Sequence, residues 1–418
     1  MQTGAFRIAM LSIHSSPLGP LGSRDTGGMS VYIRENAGEL GRMGHRVDIF
    51  TRRTAMADEP VIDLAENVRL VHLDIGNGPG VPKEALYRYI ADFHRALESF
   101  RNHQRLDYDL IHSHYWLSGW LGDLARESWR RPHVITFHTL GAVKNSTGVG
   151  KPEPLLRIAT EKKLAASSER ILSTTAKDKG QLVRFCEAAA DKIGVVPCGV
   201  NLSLFRPQDT AAARQRLGFA PDHPIVLFVG RFEPVKGIDR LLTAMTYLRR
   251  RASLRLVLVG GDGARSPATR RLQKQAQALG VQDSVTFAGR VEQDRLPPYY
   301  SAADVLVVPS YYESFGLVAL EALACGTPVV ATAVGAMESL LQKGRTGQVV
   351  PEAAPGFLAA AIENFLPKAA RKTVSAADIR ASVLPFSWSK VAEALVAEYA
   401  GVCAKGALAC KQERMRSI

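Results

Sequence analysis

Short runs of apolar residues alternate with longer stretches of helical period along the first half of the chain. The apolar runs cover residues 7–13, 46–51, 68–73, 110–113 and 133–137. Between the first two, Val31, Ile33 and Leu40 recur at helix-like spacing, and the pattern stops near Gly44. Strand, loop and helix in this order predict a parallel α/β sheet, because parallel neighbours need a crossover long enough to hold a helix. A turn-rich stretch with Pro197, Gly199 and Pro207 interrupts the alternation. It then restarts with apolar runs at 225–229, 255–259, 284–288, 305–308 and 328–331. With no internal repeat, this pattern predicts two doubly wound domains, 1–196 and 197–385, facing each other across a cleft. Ligands then belong at the C-terminal ends of the strands. Ser387 reads as the N-cap of a last helix, 386–403, whose Val391, Leu395, Tyr399 and Val402 share one face and need a docking surface. Residues 404–418 read as a basic, frayed tail.

Composition narrows the class. A chain of 418 residues with 46% hydrophobic content has ample core for both domains. Its longest uncharged apolar stretch, 322–337, contains Gly and Pro and falls short of the ~18 residues of a spanning helix. The apolar residues 8–13 are too few for a secretory signal and run straight into polar His14, Ser15 and Ser16. Cysteines at 186, 198, 325, 403 and 410 have neither metal spacing nor disulfide density, which points to a reducing cytoplasm. The formal charge of +13 suits phosphorylated small molecules, nucleic acid or an anionic membrane surface. No aromatic-interleaved basic motif supports nucleic acid. Peripheral membrane contact and a homodimer remain compatible with the composition.

The most informative segment runs from Glu313 through Ser314, Phe315, Gly316 and Leu317 to Glu321, after an apolar run and into a helix. A helix N-terminus offers unpaired N–H groups to a phosphate, and two carboxylates can accept from sugar hydroxyls. Upstream, Arg231 and Lys236 lie five residues apart at another strand end, as two cations able to neutralise a diphosphate leaving group. Gly27-Gly28, ahead of the first helix, permits close backbone approach. His14, His114 and His138 each close a predicted strand, where a cleft gathers them. His112 and His114 share a strand face but lack a third ligand of suitable spacing, so no metal is expected. Asp107-Tyr-Asp109 enters a strand instead of forming a metal loop, and the glycines at 260–263 lack a dinucleotide fingerprint.

Together these segments closely resemble the retaining glycosyltransferases of family 4, over nearly the whole chain. The matching pieces are residues 25–32 around Gly27-Gly28, 110–116, Phe137-His138-Thr139 with 142–146, and the two motifs of the second half. Within the family the chain is most similar to the inositol-phosphate enzymes of mycothiol synthesis, with sucrose-phosphate synthases as more distant relatives. The resemblance implies the GT-B architecture, two Rossmann-like domains with the acceptor on the first and a nucleotide sugar, UDP-linked, on the second. It implies transfer of a hexosyl group, GlcNAc or glucose, without metal or cofactor. Arg231 and Lys236 then hold the diphosphate, Glu321 the ribose, Glu313 the sugar hydroxyls and Arg290-Val291 the base edge. Gly28 and residues 314–317 complete the donor site, and His138 helps hold the sugar.

A small phosphorylated acceptor such as inositol phosphate is expected at His14, Ser30, Lys83, Tyr115, Thr139 and Arg157. Ser30 replaces the asparagine of the inositol-phosphate enzymes, which leaves acceptor identity less determined than donor class. A lipid or polysaccharide acceptor, a sugar-nucleotide 2-epimerase, and a basic nucleic-acid or membrane-surface binding protein are the alternatives.

Overall fold

Two twisted sheets meet with the C-terminal ends of their strands facing one cavity. The computed structural model describes residues 4–19, 26–55, 58–75, 81–250, 253–263, 265–351, 354–367 and 374–416, with side chains as far as Lys405. Asp25 of the glycine-pair motif and the side chains of Cys410 and the basic tail beyond Lys405 therefore lie outside the described residues.

The first sheet contains β1 (Arg7–Leu11), β2 (Arg46–Arg52), β3 (Val61–Ala65), β4 (Val68–Leu73), β5 (Leu110–His114), β6 (His133–Thr136), β7 (Arg170–Ser173) and β8 (Ile193–Val195). Their spatial order is β3-β4-β2-β1-β5-β6-β7-β8, parallel except for β3 on β4. Residues Ile8 to Leu11 of β1 are fully buried, as expected for a central parallel strand covered by helices on both faces. The second sheet contains β9 (Ile225–Val229), β10 (Arg255–Val259), β11 (Val285–Gly289), β12 (Val305–Val308), β13 (Val329–Thr332) and β14 (Gly347–Val350). It is parallel throughout, in the order β11-β10-β9-β12-β13-β14.

Strand order reverses beside β1 and β5 in the first sheet and beside β9 and β12 in the second. A crevice opens at such switch points, because the flanking crossovers leave on opposite faces. His14 follows β1, His114 ends β5, Arg231 follows β9 and Glu313 follows β12. The topology alone thus brings four expected site residues toward one crevice.

Four strands were not anticipated from the hydrophobic pattern. β3 is a half-exposed edge, β7 and β8 are only four and three residues long, and β14 starts on a glycine. Each has too few buried positions to show a period.

The linker between the domains is pinned by Arg380, whose guanidinium donates to the carbonyls of Leu202, Phe205 and Ala324. The last helix, Trp388–Arg416, extends past the expected end at 403. It crosses back to the first domain, burying Trp388, Val391, Leu395 and Tyr399 in a cluster with Tyr32 and Leu40. Burial stabilises each large apolar side chain by roughly 1.5–3 kcal/mol, and Arg170 adds a two-point ion pair with Glu398 at 2.6 and 3.1 Å. The docking surface required by the apolar face of this helix is the first domain.

Candidate active site

The cavity between the sheets has a volume of about 550 Å³ and is lined by both domains. Two helices begin at it, Gly28–Arg42 from the first domain and Leu317–Ala324 from the second. Neither has a capping side chain or an acidic residue in its first turn. Their free N–H groups and positive dipole ends converge on one volume, a setting for a doubly charged diphosphate. Two glycines make the convergence fit. A Cβ on Gly28 would stand 3.3 Å from Leu317 Cδ1, and Gly316, at φ +101°, would place one 2.1 Å from Met337 Cε.

Beside these ends, Pro234–Lys236 form a single tight turn closed by Gly237 in the left-handed region. The turn aims Lys236 Nζ at Glu313 Oε1, 2.7 Å away, and Ser310 Oγ donates to the same oxygen at 2.9 Å. An ammonium has three N–H donors and a carboxylate about four acceptor sites, so both groups retain capacity for a ligand. Arg231 is half-exposed at the cavity and pairs with Glu233 at 2.9 Å.

Glu321 lies deeper. Its two oxygens accept from Tyr300 Oη at 2.6 Å and from Gln293 Nε2 at 3.1 Å. Burial nevertheless pushes its pKa up to about 7, against the pull of those bonds. Arg290 and Val291, following β11, line the same end.

On the opposite wall His14 and His138 line the cavity, with His114 and His112 buried behind them. His138 Nε2 is 3.0 Å from His114 Nδ1, while His14 packs on the Tyr115 ring with centroids 4.4 Å apart. His112 shares the strand face with His114 and bonds Tyr399 Oη and Thr136 Oγ1 at 2.7 and 2.9 Å. Burial lowers the pKa of all four, to about 3 for His112 and His138, so they are neutral at pH 7. His138 and Tyr115 sit at φ +59° and +77°, which L side chains adopt at a cost of order 1–3 kcal/mol and which clusters at functional sites. Among the described residues no group of three or more His, Cys, Asp or Glu is arranged to hold a metal ion.

Lys83 and Arg157 flank Tyr115, Lys83 Nζ and the Arg157 guanidinium carbon lying 4.6 and 4.7 Å from its ring centroid. Arg157 is almost wholly buried. It donates to Glu161 Oε1 at 2.7 Å and to Thr139 carbonyl and hydroxyl oxygens at 2.8 and 2.9 Å, and pairs with Glu153 at 2.8 Å. Lys144 pairs with the same Glu153. The residues expected to clamp a phosphate thus stand together, but the guanidinium already carries two carboxylates.

Of the expected residues, His114 and Ser30 do not line the cavity; His114 is buried behind His138. Ser30 is fully buried, with its hydroxyl 2.8 Å from Ser15 Oγ, next to His14, and does not face the cavity. Sequence reasoning missed Gln293 and Tyr300, which hold Glu321, and Glu153 and Lys144 beside Arg157. Glu153 and Glu161 stand four residues either side of Arg157, a spacing readable from sequence. Nothing local marks Gln293 or Tyr300.

Known proteins are similar to this chain over nearly its whole length. The family model "Glycosyl transferase 4-like domain" matches residues 27–199, and "Glycosyl transferases group 1" matches 209–377. A D-inositol 3-phosphate glycosyltransferase of Geodermatophilus obscurus is 41% identical over 415 residues, covering 97% of this chain and 92% of its own. One of Mycobacteroides abscessus is 42% identical over 397 residues, 94% of this chain and 88% of its own. Among solved structures, sucrose-phosphate synthase of Thermosynechococcus elongatus superposes with a TM-score of 0.87 at 35% identity, covering 96% of this chain and all of that one.

Proposed function

Because this chain belongs to the glycosyltransferases, with a family 4-like domain followed by a group 1 domain in the GT-B architecture, we propose that it moves a GlcNAc or glucose unit from a UDP-linked donor to a small phosphorylated acceptor, an inositol phosphate first. Hexosyl transfer is the activity of the family. The relatives named above, acting on D-inositol 3-phosphate, support the acceptor.

The observation that carries the reading is a single cavity with cations at both ends. Arg231, Lys236 and two helix N-termini stand on the donor side, and Lys83, Arg157 and Tyr115 on the acceptor side. Charge develops on the diphosphate as its bond to the sugar breaks. Preorganised cations therefore stabilise the transition state more than the ground state. Glu313, anchored by Lys236 and Ser310, accepts from the sugar hydroxyls, and Glu321 takes the ribose. Neutral His138, its ring held by His114, serves as a hydrogen-bonding partner for the sugar and not as a charge. In this reading the second domain holds the donor, the first the acceptor, and the enzyme works in the cytoplasm with retention at the anomeric carbon.

A sugar phosphate in place of inositol phosphate is the second reading, favoured by the match to sucrose-phosphate synthase. Both are tested by one assay, in which UDP-GlcNAc, UDP-glucose and GDP-mannose are each offered with D-inositol 3-phosphate, fructose 6-phosphate and their unphosphorylated parents. Product NMR reads the anomeric configuration. Equal kcat/KM for inositol and its phosphate contradicts the clamp, because a site with buried cations rejects a ligand lacking the phosphate by orders of magnitude.

A further inference from the structure

Gln293 stands between the two domains. It comes from the turn after β11 in the second domain, lines the cavity, and donates from Nε2 to Glu321 Oε1 at 3.1 Å. Its carbonyl oxygen accepts from Arg34 Nη2 at 2.9 Å, and Arg34 belongs to the Gly28–Arg42 helix of the first domain. The chemistry fixes which way the amide points, since a guanidinium only donates and a carboxylate only accepts. With its oxygen on Arg34, the amide can present nothing but N–H to Glu321. By contrast, an interdomain ion pair, Lys177 with Glu338 at 3.0 Å, is exposed and involves no residue lining the cavity.

We propose that Gln293 and Arg34 are positioning residues for the ribose subsite: Gln293 sets the Glu321 carboxylate to receive a ribose diol, and Arg34 locks Gln293, so the nucleotide site of the second domain is completed by a residue of the first. The inference rests on the reading of Glu321 as the ribose carboxylate. Glu321 has about four acceptor sites; Tyr300 and Gln293 use two, which leaves one on each oxygen for the two hydroxyls. Without Arg34 the amide is free to rotate and to turn its own oxygen toward the carboxylate, which repels it. Nucleotide held at Glu321 in turn orders Gln293 against Arg34, and so favours the arrangement in which the domains are apposed.

The test is calorimetric, on the full chain. UDP, ADP and GDP are titrated first, and the tightest binder is then compared with its 2′-deoxy analogue in wild type, Arg34→Ala, Gln293→Leu, the double variant and Glu321→Gln. Wild type is expected to prefer the ribonucleotide and Glu321→Gln to lose the preference. Arg34→Ala and Gln293→Leu should each reduce it about tenfold, the scale of one hydrogen bond to a charged group. The double variant should be no worse than the worse single one, because both act through one amide, and Arg34→Lys should recover part of the loss. Wild-type preference in Arg34→Ala, or additive losses in the double variant, overturns the proposal even if Gln293→Leu fails to fold. No preference in wild type, an unchanged one in Glu321→Gln, or no binding of any diphosphate overturns the underlying ribose reading instead.

Discussion

Arg157 Nη1 lies 2.8 Å from Glu153 Oε2, so the cation proposed to hold the acceptor phosphate is paired with a carboxylate of its own domain. Glu153 also takes Lys144, and Glu161 compensates Arg157 from the other side. An incoming phosphate dianion must therefore compete with Glu153 for both cations. Glu153→Gln removes the competitor. Its expected outcome is a several-fold lower KM for the phosphorylated acceptor, together with a loss of at most about 3 kcal/mol of stability, since Arg157 keeps Glu161. Inorganic phosphate should restore the lost Tm in the variant more than in wild type. A raised acceptor KM in Glu153→Gln would show that Glu153 itself binds the acceptor.

Lys236→Met removes the proposed donor to the diphosphate together with the 2.7 Å partner of Glu313. Turnover should fall about a hundred- to thousandfold with a smaller change in donor affinity, because leaving-group charge is greatest in the transition state. Arg231→Ala should act in the same direction. Activity of the wild-type enzyme is expected to persist in excess EDTA, since these cations and two helix ends supply the positive charge. Single-turnover kinetics with and without chelator checks both statements.

The raised pKa of Glu321 gives two opposite pH dependences. Between its unfolded value of 4.5 and about 7 the folded chain holds a proton that the unfolded chain releases. Stability from this group is therefore present below pH 4.5 and lost as pH rises through 7, by about 3 kcal/mol in all. Nucleotide binding, which needs the carboxylate as acceptor, should tighten over the same rise. Denaturant melts of wild type minus Glu321→Gln, and calorimetry across pH 5.5–8.5, separate the two. A nucleotide affinity that is flat with pH would remove Glu321 from the site.

Tyr399→Phe leaves His112 Nδ1 buried without the 2.7 Å partner supplied by the last helix. The expected loss is about 1–3 kcal/mol, the cost of an orphaned buried polar group. Guanidinium melts measure it, and a loss below about 0.5 kcal/mol would mean that the hydroxyl does not anchor the helix.

How much of this was legible in the sequence depended on range. Period, turn residues and strand ends are local properties of the backbone, so the two doubly wound domains and the need of the last helix for a docking surface could be read from the chain. The same holds for the glycines at the two helix starts and for the cations beside them, because a strand, a tight turn and a helix N-terminus follow each other within a few residues. Lys83, Tyr115, Thr139 and Arg157 were grouped by resemblance, and the fold brings them into contact. Ser30 was assigned to the acceptor because it stands where the inositol-phosphate enzymes carry asparagine, but the turn of its helix directs it at Ser15.

Tertiary structure decided the long-range pairings. His112 meets Tyr399 across 287 residues, Gln293 meets Arg34 across 259, and Lys236 meets Glu313 across 77. No local pattern encodes such contacts, since each requires two elements packed from different parts of the chain. The protonation of Glu321 and the histidines belongs here too. A carboxyl that stays partly protonated near pH 7, or an imidazole that stays neutral down to pH 3, does so because neighbouring side chains exclude water from it. That exclusion exists only once both domains and the returning helix have closed around the site.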